Sequence, residues 1–241
     1  MMSWTKETPG SGWAFPAICI IRSLSLKNFE APGAFTRLFM IQPSRTIEKM
    51  NSGKPVTITA IGDSLTAGWM VRKGYIEYFK ELVIRQYPLC SLKVVNRGSP
   101  GDTADNGLYR LKWCLTEHKP DCVFIQYAIN DASLGFTTDQ FRGYVQGMIR
   151  QIQETEDSDI VLITSSYIGD NQDSAYIEEF YRQLVILGDE YRLPVALVHK
   201  YWKQMIDEGE VDYLSLVQYD MVHPTELVYR LMAEAIMQLF V

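Results

Sequence analysis

The sequence predicts an α/β protein built on a parallel sheet with helices on both faces. Two observations carry this. From Val56 onward, short apolar runs rich in Val and Ile alternate with longer segments whose apolar residues recur every three or four positions. The sharpest turn signals, Gly62-Asp63-Ser64 and Gly98-Ser99-Pro100-Gly101, follow directly on such apolar runs. Alternating strands and helices imply parallel pairing, because each crossover helix covers a face of the sheet. In such sheets ligands bind at the carboxyl ends of the strands.

Val56 to Ile61 reads as the first strand. Tyr75 to Tyr87 is helical, with Tyr75, Phe79, Leu82 and Val83 at helix spacing, and Pro88 ends it. Ser91 to Asn96 is the second strand. Thr103 to Glu117 is a helix with Leu108, Leu111 and Leu115 on one face. Pro120 precedes the third strand, Asp121 to Tyr127. Thr138 to Thr155 is a long helix that aligns Phe141, Val145, Met148 and Ile152. Asp159 to Thr164 is the fourth strand, Ser174 to Tyr191 a helix, and Leu193 to Val198 a short fifth strand. Pro224 opens the last helix, which runs to Phe240.

Residues 1–52 read differently. Pro9-Gly10, Pro16, Pro32-Gly33 and Pro43 interrupt them, and no period is sustained. The expectation is an irregular N-terminal extension, or one packed on the main domain of residues 53–241. The run Ala34 to Ile41 is long enough for one short element.

The 241 residues are 47% hydrophobic and 22% charged, which suits one globular domain with a short addition. A formal charge of −6 argues against a nucleic-acid partner, since phosphate binding needs a basic face. Cys19, Cys90, Cys114 and Cys122 show no paired spacing and read as thiols, buried in the last three cases. No metal and no cofactor are expected: Cys/His clustering is absent, and the Gly-rich turns match no nucleotide fingerprint. No stretch reaches transmembrane length. Trp13 to Ile21 is apolar but short and lacks a basic lead, so the expected location is cytoplasmic rather than secreted.

The serine in Gly62-Asp63-Ser64 is open to two readings, an N-cap or a nucleophile. A nucleophile needs a base, a group that orients the base, and donors for an oxyanion. Asp220-Met221-Val222-His223-Pro224 supplies a histidine with an aspartate three residues before it. The stretches Asn96 to Thr103 and Ala128-Ile129-Asn130-Asp131 each follow an apolar run, and they offer a glycine N–H and an asparagine amide. His118 sits in a polar Glu-His-Lys context and reads as solvated. His199, at the end of the fifth strand, reads as a satisfied core-edge histidine.

In their order and approximate spacing, these four blocks resemble those of the SGNH (GDSL) hydrolases, over residues 54 to 241. The resemblance implies the SGNH hydrolase fold: flavodoxin-like, three-layer α/β/α, with a five-stranded parallel sheet in the order 2-1-3-4-5 and right-handed crossovers. It implies a serine esterase or acylhydrolase with Ser64 as nucleophile, His223 as general base and then acid, and Asp220 as its orienter. The oxyanion donors would be the Ser64 and Gly101 backbone N–H groups and the Asn130 side-chain amide. Asp63 would hold the serine turn. Asn96, Gly98 and Thr103 would shape the Gly101 loop, and Asp131 its neighbour.

The sequence departs from the family once. Ala128 stands where the third block carries glycine, a methyl expected to shift Asn130 or narrow the pocket. Alanine there also resembles carbohydrate-esterase-type members, which points to an acetylated carbohydrate as the small-molecule ester. A short acyl group, acetyl, is expected because no long apolar insertion offers a fatty-chain groove. A lysophospholipase, a thioesterase or an acyltransferase would use the same residues. A non-catalytic flavodoxin-like binding module would not require the Asp220/His223 pair.

Overall fold

A computed structural model describes residues 41–155, 157–169, 172–220 and 222–241. Residues 1–40, which hold Cys19 and most of the expected extension and of the apolar run Ala34 to Ile41, lie outside the described residues. The first described helix is α1 (Ser44–Asn51), for which no sequence period gave a signal. It packs Met50 into the core, and Thr46 donates from both its N–H and its hydroxyl to Asp159 Oδ2 at 2.7 Å. Lys49 pairs with Asp121. Together these bonds pin α1 to the start of the fourth strand and the residue before the third.

Then follow β1 (Val56–Gly62), α2 (Ser64–Ala67), α3 (Tyr75–Gln86), β2 (Leu92–Gly98), α4 (Ala104–Thr116) and β3 (Cys122–Gln126). After these come α5 (Ile129–Ser133), α6 (Thr138–Thr155), β4 (Asp159–Ile163) and α7 (Gln172–Tyr191). The chain closes with β5 (Val195–Ala196), α8 (Val198–Asp207), α9 (Tyr213–Leu216), α10 (Glu226–Met237) and a 3-10 turn at Gln238–Phe240. All strand pairs are parallel, and the order is β2-β1-β3-β4-β5, as the family resemblance implies.

Successive strand side chains point to opposite faces, and two cores follow from that. Ile58, Ala60, Phe124, Val161 and Ile163 face α3 and α10, where Phe79, Phe124 and Phe240 meet edge to face at 5.2–6.0 Å. Ile61, Val123, Ile125, Ile160 and Leu162 face α4, α6 and α7, through Leu111, Phe141, Val145, Met148 and Phe180. Cys90, Cys114 and Cys122 are buried free thiols.

Two sequence expectations are corrected. The fifth strand pairs over only two residues rather than Leu193 to Val198, because the chain turns into α8 directly after it. That helix escaped prediction although Val198, Trp202, Met205 and Ile206 recur at helix spacing and pack on the core. The last helix begins at Glu226, with Thr225 rather than Pro224 in the preceding position.

The sheet register sets Gly62 beside Gly98 and Gln126. The turn after β1 crosses directly over β2: a Cβ on Gly98 would lie 2.2 Å from the Ala67 backbone nitrogen. The obstacle is backbone and cannot rotate away. Gly98→Ala is therefore expected to cost about 1–3 kcal/mol of unfolding free energy. Gly143→Ala, inside α6 where a Cβ meets nothing, is expected to gain about 0.5–1 kcal/mol. Urea unfolding of both variants checks this; equal midpoints would contradict the packing described.

Candidate active site

Ser64 is the first residue of α2, immediately after the sharp stop of β1. Asp63 is the cap, its Oδ1 accepting the Leu65 N–H at 2.8 Å. Asp63 Oδ2 accepts from Gln126 Nε2 at 3.2 Å. The other amide atom, Gln126 Oε1, accepts from the Thr66 hydroxyl at 2.7 Å. Thus the turn is anchored to the end of β3. Asn96 anchors it to β2: its Nδ2 donates to the Thr66 carbonyl at 2.8 Å while its Oδ1 accepts the Gly98 N–H at 2.9 Å. Asn96 and Gly98 hold the serine turn as well as the loop that the sequence assigned them to.

The loop before α10 brings His223 to Ser64. Asp220 Oδ1 accepts the Val222 and His223 N–H groups at 3.0 and 2.9 Å. This leaves Asp220 Oδ2 for the imidazole, 2.6 Å from His223 Nδ1. A carboxylate only accepts, so Nδ1 carries the proton and the neutral ring presents Nε2 as an acceptor. His223 Nε2 lies 2.9 Å from Ser64 Oγ. Gln218, which no sequence motif marks, closes the loop. Its N–H donates to the His223 carbonyl at 2.7 Å, and its Nε2 donates to the Pro224 and Trp69 carbonyls. Trp69 N–H in turn donates to the Ser64 carbonyl at 3.1 Å, so the Gln218 side-chain amide and the Trp69 backbone link the loop to the serine turn.

Gly101 lies in the turn after β2. The Asp102 N–H donates to the Ser99 carbonyl at 3.1 Å, and Gly101 has φ +78° with Pro100 before it. That is the pattern of a type II turn, in which the Gly101 N–H takes no part in the turn's own hydrogen bond. Ser99 N–H donates to the Gly62 carbonyl at 2.9 Å, which ties this turn to the end of β1. Asn130, in the first turn of α5, donates one amide hydrogen to the Asp102 carbonyl at 2.9 Å and keeps a second. Thr103 precedes α4 and accepts from Asn106 Nδ2 at 3.0 Å. Asp131 is buried, and its Oδ1 accepts the Ala104 N–H at 2.9 Å. Ser64 and Asp220 are thus linked through His223, which touches both. Gly101 and Asn130 lie on separate segments, after β2 and after β3, joined by the bond from Asn130 to the Asp102 carbonyl.

The model of the GDSL-like lipase/acylhydrolase family matches residues 60–231. The chain belongs to that family. An arylesterase of Vibrio mimicus is 27% identical over 159 residues, 63% of this chain and 78% of the relative. Two solved structures share the fold. An acetylxylan esterase from Geobacillus stearothermophilus has a TM-score of 0.69 at 22% identity, covering 77% of this chain and 94% of its own. An alpha/beta hydrolase enzyme from the metagenome of Lake Arreo, Spain, has a TM-score of 0.69 at 17% identity over the same shares. This GDSL-like protein is a carboxylic ester hydrolase.

The other histidines of this GDSL-like hydrolase stand apart from Ser64. His199 is the second residue of α8 rather than ending a strand; it is buried and meets the Thr164 hydroxyl at 2.8 Å and Glu178 at 3.2 Å. Burial pushes its pKa down, against the pull of Glu178. His118 is not solvated as its neighbours suggest. Its side chain is 13% exposed, with Arg97 Nη2 3.2 Å and Lys93 Nζ 3.5 Å from its ring nitrogens. Among the described residues, no group of three or more His, Cys, Asp or Glu side chains could hold a metal ion, and no helix is long and apolar enough to cross a membrane. Ala128 is buried with φ +150°, a conformation that favours glycine and costs about 1–3 kcal/mol in other residues.

The carboxylates around the site fall into two classes. Partial burial raises the Asp220 pKa, but the His223 N–H, its ring and the Val222 N–H outweigh this and hold it below the usual range. Burial pushes Asp63 and Asp131 up to about 7, only partly offset by their backbone N–H donors. A carboxyl with a raised folded-state pKa contributes stability that is full below its unfolded pKa and is lost as pH rises through the folded value. Asp220 has the opposite sign, and its contribution is lost only in acid. Stability is therefore expected to fall between pH 5 and 8, and Asp131→Asn is expected to flatten that slope. Unfolding free energies at the two pH values check this; parallel slopes for the wild type and the variant would contradict it.

Proposed function

We propose that the protein hydrolyses small esters with short acyl groups, acetyl above all, through a Ser64–His223–Asp220 triad. The observation that carries this reading is the unbroken chain from Ser64 Oγ to His223 Nε2 at 2.9 Å and from His223 Nδ1 to Asp220 Oδ2 at 2.6 Å. Ser64 Oγ attacks the ester carbonyl carbon while His223 Nε2 takes its proton. Asp220 holds the tautomer and stabilises the imidazolium. The oxyanion of the tetrahedral intermediate is met by the Ser64 and Gly101 N–H groups and the free hydrogen of the Asn130 amide. His223 returns the proton to the departing alkoxide. Water, activated by the same imidazole, then releases the acid from the acyl-serine.

An acetylated carbohydrate is the substrate class we favour. It is supported by the likeness to the acetylxylan esterase and by Trp69, which is 40% exposed with its ring 6.0 Å from that of His223. Such a ring can stack on the apolar face of a sugar. An aryl ester is the second reading, since the Vibrio relative is an arylesterase and the same ring would stack on an aromatic alcohol. Turnover of p-nitrophenyl acetate to palmitate, beside an acetylated xylo-oligosaccharide, separates these readings. Activity falling with chain length and higher on the acetylated sugar is expected. A preference for long chains would overturn the acetyl reading. In the same assay Ser64→Ala is expected to lose at least about a thousandfold in kcat. Asn130→Ala is expected to lose about a hundredfold in kcat with little change in KM. A change in KM alone would remove Asn130 from the oxyanion role.

A further inference from the structure

Beneath the site lies a buried polar cluster that this mechanism does not use. Arg110 projects from α4, with Nε and Nη2 donating to Asp102 Oδ2 at 2.9 and 2.6 Å. Nη2 also donates to the Gly62 carbonyl at 3.2 Å and lies 3.1 Å from the Tyr127 hydroxyl. The Tyr127 hydroxyl donates to Asp102 Oδ2 at 2.9 Å. Nη1 lies 3.3 Å from Cys114 Sγ. Asp102 is buried and Tyr127 fully so. Helix α4 passes so close over Tyr127 that a Cβ on Gly107 would sit 2.5 Å from its hydroxyl.

The oxygen partners of this one guanidinium come from three strand ends. Gly62 ends β1 two residues before Ser64. Asp102 follows Gly101 in the turn after β2. Tyr127 follows β3, three residues before Asn130. The Asp102 carbonyl is also the group that Asn130 holds. We infer that Arg110 is a positioning residue, a brace that fixes the distance between Ser64 and the two oxyanion donors Gly101 and Asn130. This rests on the oxyanion reading above. The carboxylate of Asp102 accepts three hydrogen bonds and so anchors its turn firmly. The planar fork of arginine bonds Asp102, Gly62 and Tyr127 at once, which a lysine ammonium on a flexible stem cannot reproduce. Catalytic geometry is sensitive to displacements of about 1 Å, which can cost about a hundredfold in rate.

The test is steady-state hydrolysis of p-nitrophenyl acetate by the wild type, Arg110→Lys, Asn130→Ala and the double variant, with rates normalised to active sites counted by the p-nitrophenol burst. Arg110→Lys is expected to lower kcat about 10–100-fold per active site, with KM within about twofold. The double variant is expected to fall well short of the product of the two single losses, because Asn130 is already misplaced without the brace. An unchanged kcat per active site, or fully multiplicative losses, would overturn the inference, since a residue that only stabilises the fold gives those results. If Arg110→Lys fails to fold, Tyr127→Phe removes one bond to Asp102 and is expected to lower kcat several-fold with KM unchanged. An unaltered kcat there would equally overturn it. If Asn130→Ala itself left kcat intact, the oxyanion reading would fall and the brace with it.

Discussion

The parallel register that sets Gly62 beside both Gly98 and Gln126 is the constraint on which the rest depends. A slip of one residue would send every side chain of a strand to the other face, and both cores forbid that. With the register fixed, three strands end level at one edge of the sheet. Ser64, Gly101 and Asn130 follow those ends within a few residues. The chain at that edge is packed too tightly for side chains, which is why glycine stands at 62 and 98. The site is a consequence of where strands stop.

Holding the site together requires polar groups to be buried, and each is answered by a partner. Asp63 is met by Leu65 and Gln126, and Asp102 by Arg110 and Tyr127. Such groups are expensive in a dry interior unless they are paired. Asp131 Oδ2 is an exception, with no hydrogen-bond partner among the described residues. Ala128, two residues from Asn130, adds backbone strain at the same edge. Local cost of this kind is tolerated where the surrounding sheet over-determines the geometry.

Much of this was legible in the sequence. β-branched runs mark β1, β3 and β4 because both faces of those strands are buried, and the aligned apolar positions of α3, α4 and α6 follow from their packing on one face. The fifth strand is shorter than its apolar run, since Leu193 to Val198 looks the same in sequence whether it pairs or turns into a helix. The short helices α2, α5 and α9 span too few residues to show a period. Ser64, Asp220 and His223 were recognisable as motifs, yet nothing in their spacing shows that a loop closed by Gln218 brings them together. Arg110 was invisible for the same reason. Its partners lie on three separate strand ends, and no local pattern joins an arginine on a helix to Gly62 and Tyr127.

The decisive measurement is covalent labelling with a fluorophosphonate, followed by peptide mapping of the adduct. A nucleophile with its base and oxyanion donors in place reacts at phosphorus as it does at an ester carbon. A single adduct on Ser64, lost when His223 is replaced by alanine, is the predicted result. No adduct, or one on another serine such as Ser165 or Ser166 at the end of β4, would contradict Ser64 as the nucleophile.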